Sequence, residues 1–338
     1  MLMFGLFKEL FYIEYSNLYL KIAAVATLTC IFSLFICLFL HVKYPYWGAV
    51  TVFAILSPNL NMILYKAPRR VLGTIIGSVV AILIVLIFSS YPLLTLIVLI
   101  LLGAIGFYVS KVIAENYFTL FITVHILFIG VGILFDPNIG FSIAEYRLIS
   151  NCIAIVCTCV VFSFVYKLAR GAEFTPTKSS KEDAFLYSAI LTVSIVIAII
   201  VWETLKIPGG SLNMVICLIT IAGINNSGSL LKGKQRFYGC ILGVCSGVIT
   251  IFLSSVSIVI FFISFFCFAT FFIYYSLAHK SYQYTGLQAA VAICITCFPN
   301  DSMRMVIEDG LYRALGIMLG VIIINIVFMV FRYVFNKP

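Results

Sequence analysis

The stretch that decides the fold is APRRVLGTIIGS, residues 67–78, where two adjacent arginines lead into an apolar run with glycines three and seven places after Arg70. Nearly the same grammar returns at GKQRFYGCILGV, residues 233–244, and at LYRALGIMLGV, residues 311–321. Residues three and seven apart fall on one face of a helix, so Arg70, Gly73 and Gly77 share a stripe. Small residues four apart let helix backbones approach closely in lipid. Gly73/Gly77, Gly239/Gly243 and Gly316/Gly320 are such pairs, and Ser150/Ala154 is the equivalent after Arg147. The face that carries each arginine is therefore expected to be the packed, inward-facing one.

The rest of the chain supports a membrane setting. Of 338 residues, 63% are hydrophobic and 10% charged, and the mean hydropathy is +1.19. A soluble domain carries roughly 25% charged residues. Twelve hydrophobic segments are legible, at about 20–42, 46–64, 68–89, 92–110, 115–134, 146–168, 184–205, 209–228, 234–254, 256–278, 283–298 and 310–332. The second, eighth and eleventh are short or interrupted by polar residues. Twelve spans of about 20 residues use about 240, which leaves little for any soluble domain. Lys8, Glu9 and Glu14 precede the first apolar run, so that run is expected to be retained rather than cleaved as a signal peptide. The eleven cysteines are scattered through apolar segments and read as small hydrophobes; the CITC spacing at Cys294 to Cys297 has no nearby histidine and is a weak metal or redox signal.

Charge bias gives an orientation. With the N-terminus in the cytoplasm and loops assigned alternately, sixteen Lys and Arg fall inside and five (Lys43, Arg147, Lys206, Arg304 and Arg313) outside. That split predicts cytoplasmic N- and C-termini. The net charge of +9 is accounted for by topology rather than by nucleic acid.

A shift of 166 residues superposes Asn59 on Asn225, Arg70 on Arg236, Gly73 on Gly239, Gly77 on Gly243 and Arg147 on Arg313. Two six-helix halves sharing one orientation follow: residues 1–168, a cytoplasmic linker at 169–183, and residues 184–338. A fainter shift near 77 carries Arg70 to Arg147 and Arg236 to Arg313, each after a polar break (LSPNLN, FDPNIG, INNSGS, FPNDS). Three helices between copies imply inversion, so the expected fold is all-α and polytopic: two parallel six-helix repeats, each a 3+3 inverted repeat.

The stretch from Tyr44 to Gly77, with Trp47, Thr51, Pro58, Arg70, Gly73, Thr74 and Gly77 in place, resembles the signature of the fusaric acid resistance and aromatic acid exporter superfamily. Plant aluminium-activated malate transporters are similar over the same core, and AEYRLISNCIAIV, at the start of the sixth span, resembles the family's closing helix. The second half is similar more weakly, with no tryptophan at the position matching Trp47. The resemblance implies export, or passive permeation, of small organic anions such as aromatic or carboxylic acids across the bacterial inner membrane. Some exporters of this family work with a periplasmic adaptor protein, and self-association is a further partner expectation. A membrane assembly or scaffold protein is the reading from a different class.

The candidate path residues are Arg70, Arg147, Arg236, Arg313, Asn59, Asn225 and Trp47. A guanidinium beside the unpaired N–H groups of a helix start suits an anion. The same arginines also fit other roles: Arg69, Arg70 and Arg236 as interfacial anchors, Arg147 and Arg313 as local partners of Glu145 and Asp309. Asn59, Asn225 and Asn226 sit either in interfacial loops or at broken helices that line a site. Trp47 belongs to the aromatic belt or stacks on an aromatic substrate. His125 is mid-span and is either a hydrogen-bonded core residue or a proton-coupling group. Glu203, Asp136, Glu145 and Asp309 lie near segment ends. No catalytic, metal or nucleotide motif is present, so neither an enzyme nor a cofactor is expected.

Overall fold

Each of the twelve hydrophobic segments becomes one helix. The computed structural model describes residues 15–113, 116–165, 178–206, 211–221, 226–279, 281–298 and 307–335. In chain order the helices are α1 Asn17–Phe39, α2 Tyr46–Ile55, α3 Leu60–Ile87, α4 Pro92–Val112, α5 Asn116–Phe135, α6 Pro137–Val165, α7 Lys181–Leu205, α8 Ser211–Ile221, α9 Asn226–Ser254, α10 Ile258–Ala278, α11 Gln283–Cys297 and α12 Ile307–Phe335.

Two expectations need correction. Among the described residues nine helices, not twelve, are long and apolar enough to cross a membrane. The other three are the segments already marked by polar interruption: α2, α8 and α11, with 10, 11 and 15 residues. At 1.5 Å per residue their described lengths are about 15 to 22 Å, against a hydrocarbon core of about 30 Å. The second correction concerns the arginines. The helix that carries Arg70 does not start at Pro68 but at Leu60, with Pro68 inside it. Arg70, Arg147 and Arg236 each stand ten residues after the first residue of their helix, Leu60, Pro137 and Asn226. Ten residues is about 15 Å, so the unpaired N–H groups of a helix start are out of reach. The four long helices match in length too, with 28 residues in α3 and 29 in each of α6, α9 and α12.

Local chemistry explains several boundaries. Ser16, Ser180 and Ser257 cap α1, α7 and α10 by accepting backbone N–H groups of Tyr19, Asp183 and Val259. Pro92 opens α4, where a missing N–H costs nothing. On α3 the exposed face is Leu72, Ile76, Val79, Leu83 and Leu86, while Gly73, Thr74, Gly77 and Ala81 are buried. A helix with large apolar residues outside and small ones inside is built for lipid, not water.

The chain forms two compact units, and both draw on both halves of the sequence. Unit 1 comprises Met1–Leu60, Ile153–Arg170 and Gln235–Leu311; unit 2 comprises Asn61–Cys152, Gly171–Lys234 and Tyr312–Pro338. Within unit 1, α1 packs on α2 and α10, and α11 on α2 and α10. Within unit 2, α7 packs on α8 and α4, and α5 on α8 and α4. Advancing α1, α2, α4 and α5 by six helices turns each pairing of one unit into a pairing of the other. The internal repeat seen in sequence is thus repeated in packing.

Candidate functional site

Three helices of unit 2 bring the site together. Gly73 and Gly77 remove the side chains between α3 and α5: a Cβ at Gly73 would stand 2.7 Å from the Phe121 Cβ, and one at Gly77 2.7 Å from the His125 Cβ. This close approach sets Arg70 against the residues of α5. Its guanidinium lies over the Phe121 ring, 4.5 Å from the centroid, and an Nη donates to the Tyr117 hydroxyl at 3.4 Å. Phe121 in turn stacks between Tyr117 and His125, with centroids 4.9 and 5.6 Å away. From α6, Arg147 lies over the Phe128 ring at 4.5 Å. Asn151, one turn further along α6, donates to the Thr74 hydroxyl at 3.2 Å, and that hydroxyl donates to the Arg70 carbonyl at 2.8 Å. The charges of both guanidiniums act on the His125 ring.

The cluster is buried: Arg70 and Arg147 are 5% exposed, Asn151 1% and His125 0%. The acids whose side chains are described do not share that burial. Asp136, Glu145, Glu182 and Glu203 are exposed and Asp183 is half-buried. Aromatic faces and a phenol lie beside the two cations. Cation–π contact in a desolvated site contributes about 2 kcal/mol without neutralising the charge. At an effective dielectric of about 20, a bound carboxylate 4 Å from one guanidinium gains about 4 kcal/mol.

Unit 1 contains the counterpart. Arg236, 3% exposed, donates to the Tyr284 hydroxyl at 2.7 Å. A Cβ at Gly239 would meet Thr285, Gln288 and Ala289, and one at Gly243 would meet Ala289 and Ala292. The atoms met in unit 2 are those of Phe118, Phe121, Ile122 and His125. Tyr117 therefore answers to Tyr284, Phe121 to Gln288 and His125 to Ala292. Gln235 joins the same region by donating to the Ser281 carbonyl at 2.7 Å.

The remaining expected residues distribute as follows. Trp47 is buried on α2 and lies 4.9 Å from the Tyr46 ring, in unit 1. Asn59 is half-buried in the turn before α3, its N–H bonded to the Ser57 hydroxyl. Arg313 and Gly316 lie on α12 in unit 2; Gly316 is buried, and the Arg313 side chain and Asp309 lie outside the described side chains. Asn225 lies outside the described residues. Gly320 meets Cys217 of α8. Arg69 is half-buried and folds back on its own helix, over the Tyr65 ring at 3.8 Å.

Tyr117, Phe121, Phe128, Asn151, Tyr284 and Gln288 were not singled out from sequence. A signal existed: Tyr117, Phe121 and His125 recur at four-residue spacing, and a shift of 167 places Tyr117 on Tyr284. The repeat aligns α3 with α9 at a shift of 166 and α5 with α11 at 167, and this one-residue slip between registers hides the match.

A profile of the family described as fusaric acid resistance protein-like matches the chain twice, over residues 29–161 and 195–327. The second match begins and ends 166 residues after the first, the shift that superposes Arg70 on Arg236. No curated relative and no solved structure matches the chain.

Proposed function

Because the chain belongs to the fusaric acid resistance protein-like family, we propose that it exports small organic anions, aromatic or carboxylic, across the bacterial inner membrane. The observation that carries this reading is the pair of buried guanidiniums, Arg70 and Arg147, held by aromatic faces in a unit whose described acids are not buried. Ionisable groups within membrane-spanning helices face protein or water and mark the path of a substrate. A bound carboxylate sets a negative charge beside these cations, and the aromatic rings there suit a flat, partly apolar anion. Fusaric acid, named in the family's description, is an aromatic carboxylic acid.

Arg236 with Tyr284 offers a second cation of the same kind in the other copy. Arg313, Asn59, Asn225 and Trp47 stay candidates for substrate contact on the sequence argument alone. The Lys and Arg bias favours cytoplasmic termini, an orientation that needs an even number of crossings, with the short helices α2, α8 and α11 supplying what the nine long ones leave odd.

The test is uptake of a panel of aromatic and dicarboxylic acids, benzoate and malate among them, into everted vesicles with and without a pH gradient. Gradient-driven accumulation of at least one acid is expected. Flux indifferent to the gradient would make the protein a passive anion channel. No flux of any organic anion would leave an assembly or scaffold role and end the transport reading.

A further inference from the structure

We propose that His125 takes up a proton together with the anion held by Arg70 and Arg147, so that the first copy contains a proton-linked anion site and the second copy does not. The inference rests on the transport reading above and adds to it how the site couples.

The geometry of the ring makes the case. His125 is fully buried, and its Nδ1 lies 2.8 Å from the Phe121 carbonyl oxygen. A carbonyl only accepts, so Nδ1 carries the proton and Nε2 is left with a bare lone pair. Nε2 is buried and has no hydrogen-bond partner among the described residues. The Nε of Arg70, a donor, is likewise buried and without a partner among them. Buried polar atoms in this state are normally satisfied, and two of them on the packed helices α3 and α5 are what a ligand's polar atoms would satisfy.

The groups around the ring come from every element packed on α5. Arg70 of α3 and Arg147 of α6 are the charges that reach it. Helix α4 meets α5 through Leu99, Gly103 and Gly106, none of them titratable. On α8 the titratable group is Cys217, which lies against Ile317 and Gly320 of α12. A proton added at Nε2 places a third positive charge beside two guanidiniums. A carboxylate bound between them offsets that charge and accepts the new Nε2–H. Proton and anion thus each favour the other's binding, and the coupling is reciprocal. No bond other than the N–H forms, and the proton comes from water.

The second copy provides the contrast. Ala292 stands at the position of His125 against Gly243, and Gln288 at that of Phe121. Arg236 keeps its phenol partner there but has no imidazole from the equivalent position.

The experiment counts protons. Benzoate is titrated calorimetrically into the purified full chain in buffers of different ionisation enthalpy. Wild type is expected to take up about one proton per benzoate, with affinity falling about tenfold per pH unit between the imidazole pKa of the empty site and that of the benzoate-bound site. His125→Ala, whose side chain already fits this packing in the second copy, and His125→Gln are expected to bind benzoate with no proton uptake and a flat pH profile. Equal proton uptake in either folded variant would overturn the proposal, as would a merely structural histidine whose loss lowers stability alone. A wild-type affinity that is flat in pH overturns it whether or not the variants fold. Neither binding nor flux of benzoate or malate by wild type removes the transport reading, and this proposal with it.

Discussion

The α3–α5 contact of unit 2 and the α9–α11 contact of unit 1 share a frame and differ in chemistry. Both place an arginine, then glycines three and seven residues on, against a helix whose second residue is a tyrosine. Gly77 and Gly243 face matching atoms: a backbone carbonyl (Ile122 or Ala289) and the Cβ three residues later (His125 or Ala292). What differs is what sits beside the cation. Phe121 and His125 in one copy become Gln288 and Ala292 in the other, and Thr74 becomes Cys240. Glycine faces fix how closely two helices approach, and closeness fixes where the arginine lies. The neighbouring side chains are then open to vary, because they contribute little to that approach.

The comparison is broken most severely at the glycines. Gly77→Leu and Gly243→Leu each overpack a backbone contact and are expected to cost about 3 kcal/mol or more, equally in the two copies. Thermal denaturation in detergent checks this, and tolerance in one copy alone would end the equivalence. Next is Phe121→Gln, which gives the first copy the residue of the second. Losing the ring under the Arg70 guanidinium is expected to cost about 1 to 2 kcal/mol, while Gln288→Phe should leave Arg236 with its phenol bond intact. Tyrosine removal sharpens the contrast in the opposite sense. Tyr284→Phe breaks a 2.7 Å charge-assisted bond and is expected to cost about 1.5 kcal/mol. Tyr117→Phe breaks a contact at 3.4 Å and is expected to cost about 0.5 kcal/mol. The smallest effect belongs to Arg69→Ala. This half-buried side chain lies along its own helix, and stability should stay within about 0.5 kcal/mol of wild type.

Much of this frame is readable from residues alone. Twelve apolar segments give twelve helices, because apolar length sets a helix in lipid whatever its neighbours do. The shift of 166 returns in the two family matches. The three weak segments become the three short helices for the same reason: polar residues interrupt the apolar run. The start of α3 was misread at Pro68. A proline after Lys66 resembles a boundary, yet the helix runs back to Leu60, and Arg69 folds over Tyr65 within it. Pro68 is exposed, so the hydrogen bond it removes and the carbonyl its ring crowds fall on the outer side of the helix. The cluster around His125 was less legible. Its members come from α3, α5 and α6, and which face of α5 meets Gly73 and Gly77 depends on packing that spacing does not encode.

The central claim is that buried cations, held by aromatic faces and not matched by buried acids among the described residues, carry an organic anion. Benzoate and malate flux into everted vesicles containing equal amounts of wild type, Arg70→Gln or Arg147→Gln tests it most directly. Losing a charge-assisted contact of about 1.5 to 3 kcal/mol predicts flux lowered about 10- to 100-fold in each variant. Wild-type flux in both variants would contradict the account.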